Sequence, residues 1–532
     1  MPTVIGLVAG GLLLVVLSFF ATADWLRLSA ARRLVSEAAA AAALSAAKNP
    51  QSRDTAAFAA ARAVIGGGEV GVVAERGVAR PGPSGLVFVA GSGEVTRVSV
   101  STVARSWLGT PIGLGQRTVT ASAMAARAGV AALTERTTAV PDLPVVPAAI
   151  EAQLFGSAGA LTAQERIALG GTVFRVTDLV AELGRTLSAR DGGREVGVTA
   201  VSAASFKPSE LLLALAALDR ESARTSTQAA DVMTIMDRLA GAGATEEAAL
   251  PFAHVISLSG SDADLALAAP IRPLEFIQAV MRARLAQRAA TVELKSPVTG
   301  IDAVALTLKS ENATAAVLVG GEDGVVGIPA IRIGARFIIS GLAIPGAGAL
   351  ELPLEVTLDS GDARIRHISC EASGPEITVI GRPVRASVAL AEDSVVAAAG
   401  ASDYVRLLAA DGLTAWGKGR SAFADDPPVE LKFRPGTGDV VASLRTAIDF
   451  GNRLERLATE TQVLVSLEGK ARGVMSEGGV RDEIAQLIGG SVGPVNAVLS
   501  SVFATFGIVP GKMDVVAAGA ACNTATLLGE AK

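Results

Sequence analysis

Histidine occurs twice, cysteine twice and tyrosine once in 532 residues, and aromatic residues make up only 4% of the chain. Each scarcity removes a class of chemistry. His254 and His367 have no partner at metal-ligand spacing, and both stand beside apolar residues, in "LPFAHVISL" and "RIRHISC", where a packed or surface imidazole is the simpler reading. Nucleic-acid binding needs stacking platforms and a basic stripe; with few aromatics and a formal charge of -5 the chain offers neither. Cys370 and Cys522 lie far apart in sequence and leave three readings open: one disulfide, two buried thiols or neither. A disulfide would need an oxidising compartment.

Long apolar runs are also scarce. From Val4 to Ala23 the sequence "VIGLVAGGLLLVVLSFFATA" carries no charge. At 1.5 Å per residue a helix of about 20 residues crosses a hydrocarbon core of about 30 Å, so we read residues 1–23 as a transmembrane anchor. Ala21, Thr22 and Ala23 also form an A-x-A cleavage site, which would release the rest of the chain as a secreted protein. Against cleavage, the run exceeds the usual h-region and "MPT" supplies no basic n-region. Gly6 and Gly10 make a GxxxG pair, a spacing that lets membrane helices approach closely. Arg27, Arg32 and Arg33 all follow the span, the side that the positive-inside rule alone keeps cytoplasmic; that rule is weakest for large trailing domains. A second uncharged stretch, Ile484 to Gly511, is interrupted by Gly489, Gly490, Gly493, Pro494 and Pro510. Its Val495, Val498, Leu499, Val502, Phe503 and Phe506 recur at helical spacing, which predicts an amphipathic packing helix.

The apolar span, then Asp24, Arg27, Ala31, Arg32 and "EAAAAAALSAA", resembles the amino terminus of TadG-like Flp pilus-assembly proteins. Ala40 stands where that family usually has Asp, and the basic residues usual ahead of the span are missing. "VSVSTVARSWLGTPIGLGQRTVTASAMA" is similar to the region that follows in the same proteins. "RIRHISC", ending at Cys370, and "GAACNTATLLG", around Cys522, resemble an uncharacterised membrane-protein domain of TadG-related proteins, where a cysteine sits at similar points. The resemblance implies a single-pass bacterial inner-membrane protein with its bulk in the periplasm. Its implied partners are inner-membrane lipid, other pilus-assembly or envelope proteins and a second copy of itself. Some TadG-like proteins carry a metal-binding D-x-S-x-S motif; this chain has none, and no cofactor is implied.

The fold class is α+β. After the anchor and an alanine-rich helical stalk, "NPQSRD" breaks the helix and Thr55 to Ile65 resumes it until "GGG". Strands at Val70–Val73, Leu86–Ala90, Val98–Val103 and Val119–Ala123 predict a small pilin-like antiparallel sheet, closing a domain over 24–138. "AVPDLPVVP" reads as a Pro-rich linker, 139–150. From 151 to 395 come strand-helix units and then a larger antiparallel sheet. The helices open at Pro208, at Pro273 and near Ser226, and Leu352, Leu354, Val356 and Leu358 alternate with polar neighbours at period two. The C-terminal α+β region, 396–532, contains a helix over Val440–Leu457 and a strand over Val463–Leu467.

Few residues offer catalysis. "GLTAWGKG" (Gly412–Gly419) has Lys418 but lacks the Ser or Thr of a phosphate loop, and reads as a turn. "GGSVG" fits a nucleophile pattern around Ser491, but both histidines precede it, whereas an α/β-hydrolase places its histidine after the serine. Asp262 and Asp264 in "SGSDADLAL" lack the oxygen ligands that calcium needs at the following positions. No catalytic, cofactor or metal residue is therefore assigned. The expected function is non-enzymatic assistance to pilus assembly or surface attachment; the alternatives are an envelope hydrolase using Ser491 and the secreted binding protein released after Ala23.

Overall fold

The computed structural model describes residues 2–82, 85–91, 95–105, 115–136, 141, 143–190, 192–194, 196–222, 227–242, 248–258, 270–342, 348–371, 374–391, 404–410, 412–421, 427–435, 440–445, 450–468 and 476–530. It is a mixed α+β structure with several antiparallel sheets. The chain forms two compact units, one of residues 1–129, 370–375 and 521–532, the other of residues 130–369 and 376–520.

In the first unit, helix α1 (Pro2–Lys48) is followed by α2 (Arg53–Ile65) and by β1 (Val70–Gly82), β2 (Gly85–Ala90), β3 (Val95–Arg105) and β4 (Gln116–Arg136), whose residues up to 129 belong to this unit. These four strands neighbour one another in the order β2-β1-β3-β4 within an eight-stranded sheet and pair antiparallel, so the four expected strands are present and longer than the apolar patterns that announced them. The side chains of residues 2–17 and of Phe20 lie outside the described residues, and with them most of the expected anchor and the Gly6–Gly10 pair.

The helix expected for the alanine run is present, but its alanines form core. Val35, Ala38, Ala39, Ala42, Ala43, Ala46 and Ala47 are buried against Ala57 and Ala61 of α2 and against Val98, Val100, Val119, Ala123 and Ala125 of the sheet. Larger side chains would hold the helix axis farther off; methyl groups let its backbone approach both neighbours. Residues 35–47 are thus packed on the sheet rather than standing clear as a stalk.

The second unit is built on a six-stranded antiparallel sheet in the order Ala290–Val298, Ile301–Ser310, Ile331–Ile339, Leu350–Leu358, Ala386–Leu390 and Arg420–Ser421. Leu352, Leu354, Val356 and Leu358 all point into the core, as their alternation predicts. Helices begin at Pro208, Pro273 and Thr227, near the expected starts. Glu210 caps its own helix by accepting the Lys207 backbone N–H at 2.8 Å.

Three local expectations are corrected. The end of the expected linker is a helix, Val145–Phe155, because Val146, Pro147 and Ile150 bury one side of it. Val440–Arg445 is a strand paired with residues 512–517, and the described helix covers Phe450–Glu460; the β-branched Val440 and Val441 and an alternating exposure pattern favour extended backbone at 440–445. "GLTAWGKG" is not a simple turn, since Leu413–Lys418 is the central strand between Val405–Ala410 and Gln462–Leu467. A Cβ at Gly417 would meet Leu407 Cδ1 at 2.7 Å and Leu390 Cδ1 at 3.1 Å, so a larger residue there would push these leucine side chains aside.

The expected packing helix spans Glu477–Thr505 and buries Val495, Val498, Leu499, Val502 and Phe503. It stops short of Gly511 because Gly507 takes φ +68°, a left-handed conformation that ends a helix. Among the described residues it is the one helix long and apolar enough to cross a membrane, and half of its apolar window is buried within the protein.

Candidate functional site

Ser491 sits in the middle of the Glu477–Thr505 helix, 6% exposed, with its Oγ donating to the Ile488 carbonyl at 2.8 Å. A nucleophile elbow needs a serine on a sharp strand-to-helix turn with its hydroxyl exposed. Here the G-x-S-x-G pattern is continuous helix, and the hydroxyl is engaged with its own backbone. His254 closes a 3-10 turn, Phe252–His254. His367 lies exposed on the strand Gly361–Glu371, its Nδ1 2.6 Å from Glu322 Oε1. Lys418 Nζ stands 5.8 Å from the centre of the Tyr404 ring, a cation–π contact. Asp262 and Asp264 lie outside the described residues. Among the described residues no three His, Cys, Asp or Glu side chains converge as a metal site.

Two polar constellations carry the unusual chemistry. The first belongs to the second unit and is built on the helix Pro273–Gln287. Glu275, Gln278 and Arg282 are three and four residues apart, which places them on one face, and all three are buried. Arg282 Nη2 donates to Glu135 Oε2 at 2.8 Å and Nη1 to the Phe506 carbonyl at 3.0 Å. Gln278 Nε2 reaches the Ala504 carbonyl at 3.4 Å. Both carbonyls belong to the C-terminal end of the Glu477–Thr505 helix, whose negative pole attracts a guanidinium. Arg136 Nε lies 3.6 Å from Glu275 Oε1.

Burial raises the Glu135 carboxyl above its ordinary range against the pull of Arg282, and raises Glu275 to about 7 against Arg136 and Arg272. Arg282 Nε, Arg272 Nε and Thr134 Oγ1 are buried without a hydrogen-bond partner among the described residues. The cluster is packed among side chains and fastens a helix, a strand end and a helix terminus to one another. The i, i+3, i+7 polar spacing along an otherwise apolar helix is the sequence signal that could have revealed it; Glu135, far away in sequence, gives none.

The second constellation lies in the first unit. Cys370 and Cys522 form a disulfide with Cα atoms 5.7 Å apart. Arg127 Nε donates to the Cys522 carbonyl at 2.6 Å and Nη1 to the Cys370 carbonyl at 3.3 Å, so one side chain holds both bonded segments by their backbones. Of the three readings the two cysteines left open, the bonded one is present. On α1, Phe19 within the uncharged run and Trp25 and Leu26 just after it expose 70%, 67% and 55% of their surface. No protein-family model, no curated protein and no solved structure matches this chain.

Proposed function

We propose that this chain is a non-enzymatic, membrane-anchored protein of the bacterial envelope that works outside the cytoplasm, assisting assembly or surface attachment of a Flp-type pilus as TadG-like proteins do. The observation that carries the reading is the Cys370–Cys522 disulfide. Such bonds persist in oxidising compartments, so a bonded pair favours a body beyond the inner membrane. Two further features support it. Val4–Ala23, with Phe19 exposed within it, is long enough to span a bilayer, and the exposed Trp25 and Leu26 continue its apolar surface. In addition, a long helix laid on antiparallel strands, β3 and β4, is reminiscent of a pilin and suited to docking against envelope partners.

The pilus role is tested by crosslinking in cells that express the full chain. Capture of pilus-assembly proteins is the expected outcome. Crosslinks confined to cytoplasmic proteins would overturn it.

A further inference from the structure

An open groove of about 610 Å³ runs along α1 beside β4, in the first unit. Arg32, Arg33, Ser36 and Glu37 line it from the helix, and Thr120 and Ser122 from the strand. The spacing of the four helix residues places them on one face. Neither Arg32 nor Arg33 has a carboxylate within ion-pair distance among the described residues, although Glu37 lines the same groove. Ser122 Oγ is 2.8 Å from Ser99 Oγ. With Glu37 counted, the groove still holds one more guanidinium than carboxylate, and guanidinium forks beside hydroxyl groups match the oxygens of a phosphate ester, which such forks bind bidentately.

Position along the helix narrows the source of that phosphate. Because α1 is continuous, Arg32 follows the end of the apolar run at Ala23 by about 14 Å at 1.5 Å per residue. Headgroups occupy about 5–8 Å beyond each face of the hydrocarbon core. The remaining gap is of the order of one arginine side chain, and helical side chains lean toward the N-terminus, here toward the apolar run. Trp25 and Leu26, both exposed, stand between the two, where an amphipathic ring suits the membrane–water boundary. We propose that this groove binds the phosphate of an anionic phospholipid headgroup in the leaflet facing the first unit. The proposal rests on the anchored reading above.

The test uses the full chain in nanodiscs of equimolar phosphatidylglycerol and phosphatidylcholine, with the lipid retained on the protein counted by mass spectrometry. The expected result is retention of phosphatidylglycerol over phosphatidylcholine. In Arg32→Gln/Arg33→Gln that preference falls by about thirtyfold, the effect of two arginines near an anionic surface. Arg32→Lys/Arg33→Lys keeps part of it, and matched circular dichroism shows that both variants are folded. Equal retention of the two lipids by a chain that resists alkaline extraction overturns the groove and leaves the anchor standing. Displacement of the lipid by inorganic phosphate assigns the groove to the free ion and also overturns the proposal. A chain that alkaline carbonate extracts overturns groove and anchor together.

Discussion

Cys370 and Cys522 are bonded across 152 residues of sequence, and Arg127 donates to the backbone carbonyl of each. The first unit is assembled from a long amino-terminal segment and two short returning ones, residues 370–375 and 521–532, so the bond and the arginine fasten the two short segments. Replacing both cysteines by serine is expected to lower stability by about 2–5 kcal/mol, the usual range for a native bridge that closes a long loop. Urea unfolding of the oxidised protein and the double variant measures it; an unchanged midpoint would contradict the clamp.

The alanine face of α1 makes a steric prediction. Ala42 and Ala43 are fully buried against α2 and the sheet, whereas Glu37, one turn earlier, is exposed. Ala42→Leu should cost roughly 1–3 kcal/mol by overpacking, while Glu37→Leu should stay within about 0.5 kcal/mol. Thermal unfolding of the two variants separates a core face from a free-standing stalk: equal, small effects would favour the stalk.

Arg282 and Glu135 are each 3% exposed at the side chain and hydrogen-bonded to one another. Removing one partner strands a buried charge, so Arg282→Met alone should destabilise by about 3–5 kcal/mol. Arg282→Met with Glu135→Leu should recover much of that loss, because two apolar groups avoid the desolvation cost altogether. A double-mutant cycle reads the coupling, and additive losses would show that the pair does not act as a unit.

Glu275 predicts a pH dependence of stability. Burial raises its carboxyl from 4.5 to about 7 in the folded chain. Below 4.5 both the folded and the unfolded chain hold the proton. Between 4.5 and about 7 the folded chain holds it and the unfolded chain releases it. Its contribution is therefore full at low pH, is lost as pH rises through that window, and levels off above it. Glu151, also raised to about 7 by burial, acts in the same direction. Glu275→Gln should flatten the stability profile between about pH 4.5 and pH 7 relative to the parent protein. A profile of unchanged slope would contradict the assignment.

Ser491 donates to its own helix, and its hydroxyl is buried. A fluorophosphonate serine probe should leave the folded protein unlabelled. Labelling that disappears in Ser491→Ala would restore the hydrolase reading.

Much of the architecture was legible because its signals are local. The alternation at Leu352–Leu358 and the Pro-led helix starts at Pro208 and Pro273 depend only on neighbouring residues, and each appears where it was expected. Six identical alanines carry no periodicity, so composition predicts the helix but not which of its faces is buried. At Val440–Arg445 a short apolar stretch fits either period, and pairing with the distant residues 512–517 decides for strand. The buried cluster was half legible: Glu275, Gln278 and Arg282 share a visible spacing, but Glu135 and the carbonyls of Ala504 and Phe506 arrive from remote segments. With only two cysteines the pairing needs no choice, whereas its formation depends on a fold that brings Cys370 and Cys522 within reach.

The most direct test of the central claim is the membrane topology of the intact chain. Alkaline phosphatase fused after Lys532 should be active in living cells, the protein should resist carbonate extraction, and Cys370 and Cys522 should react with a maleimide only after reduction. An inactive fusion, with both thiols free before reduction, would place the body in the cytoplasm and contradict the account.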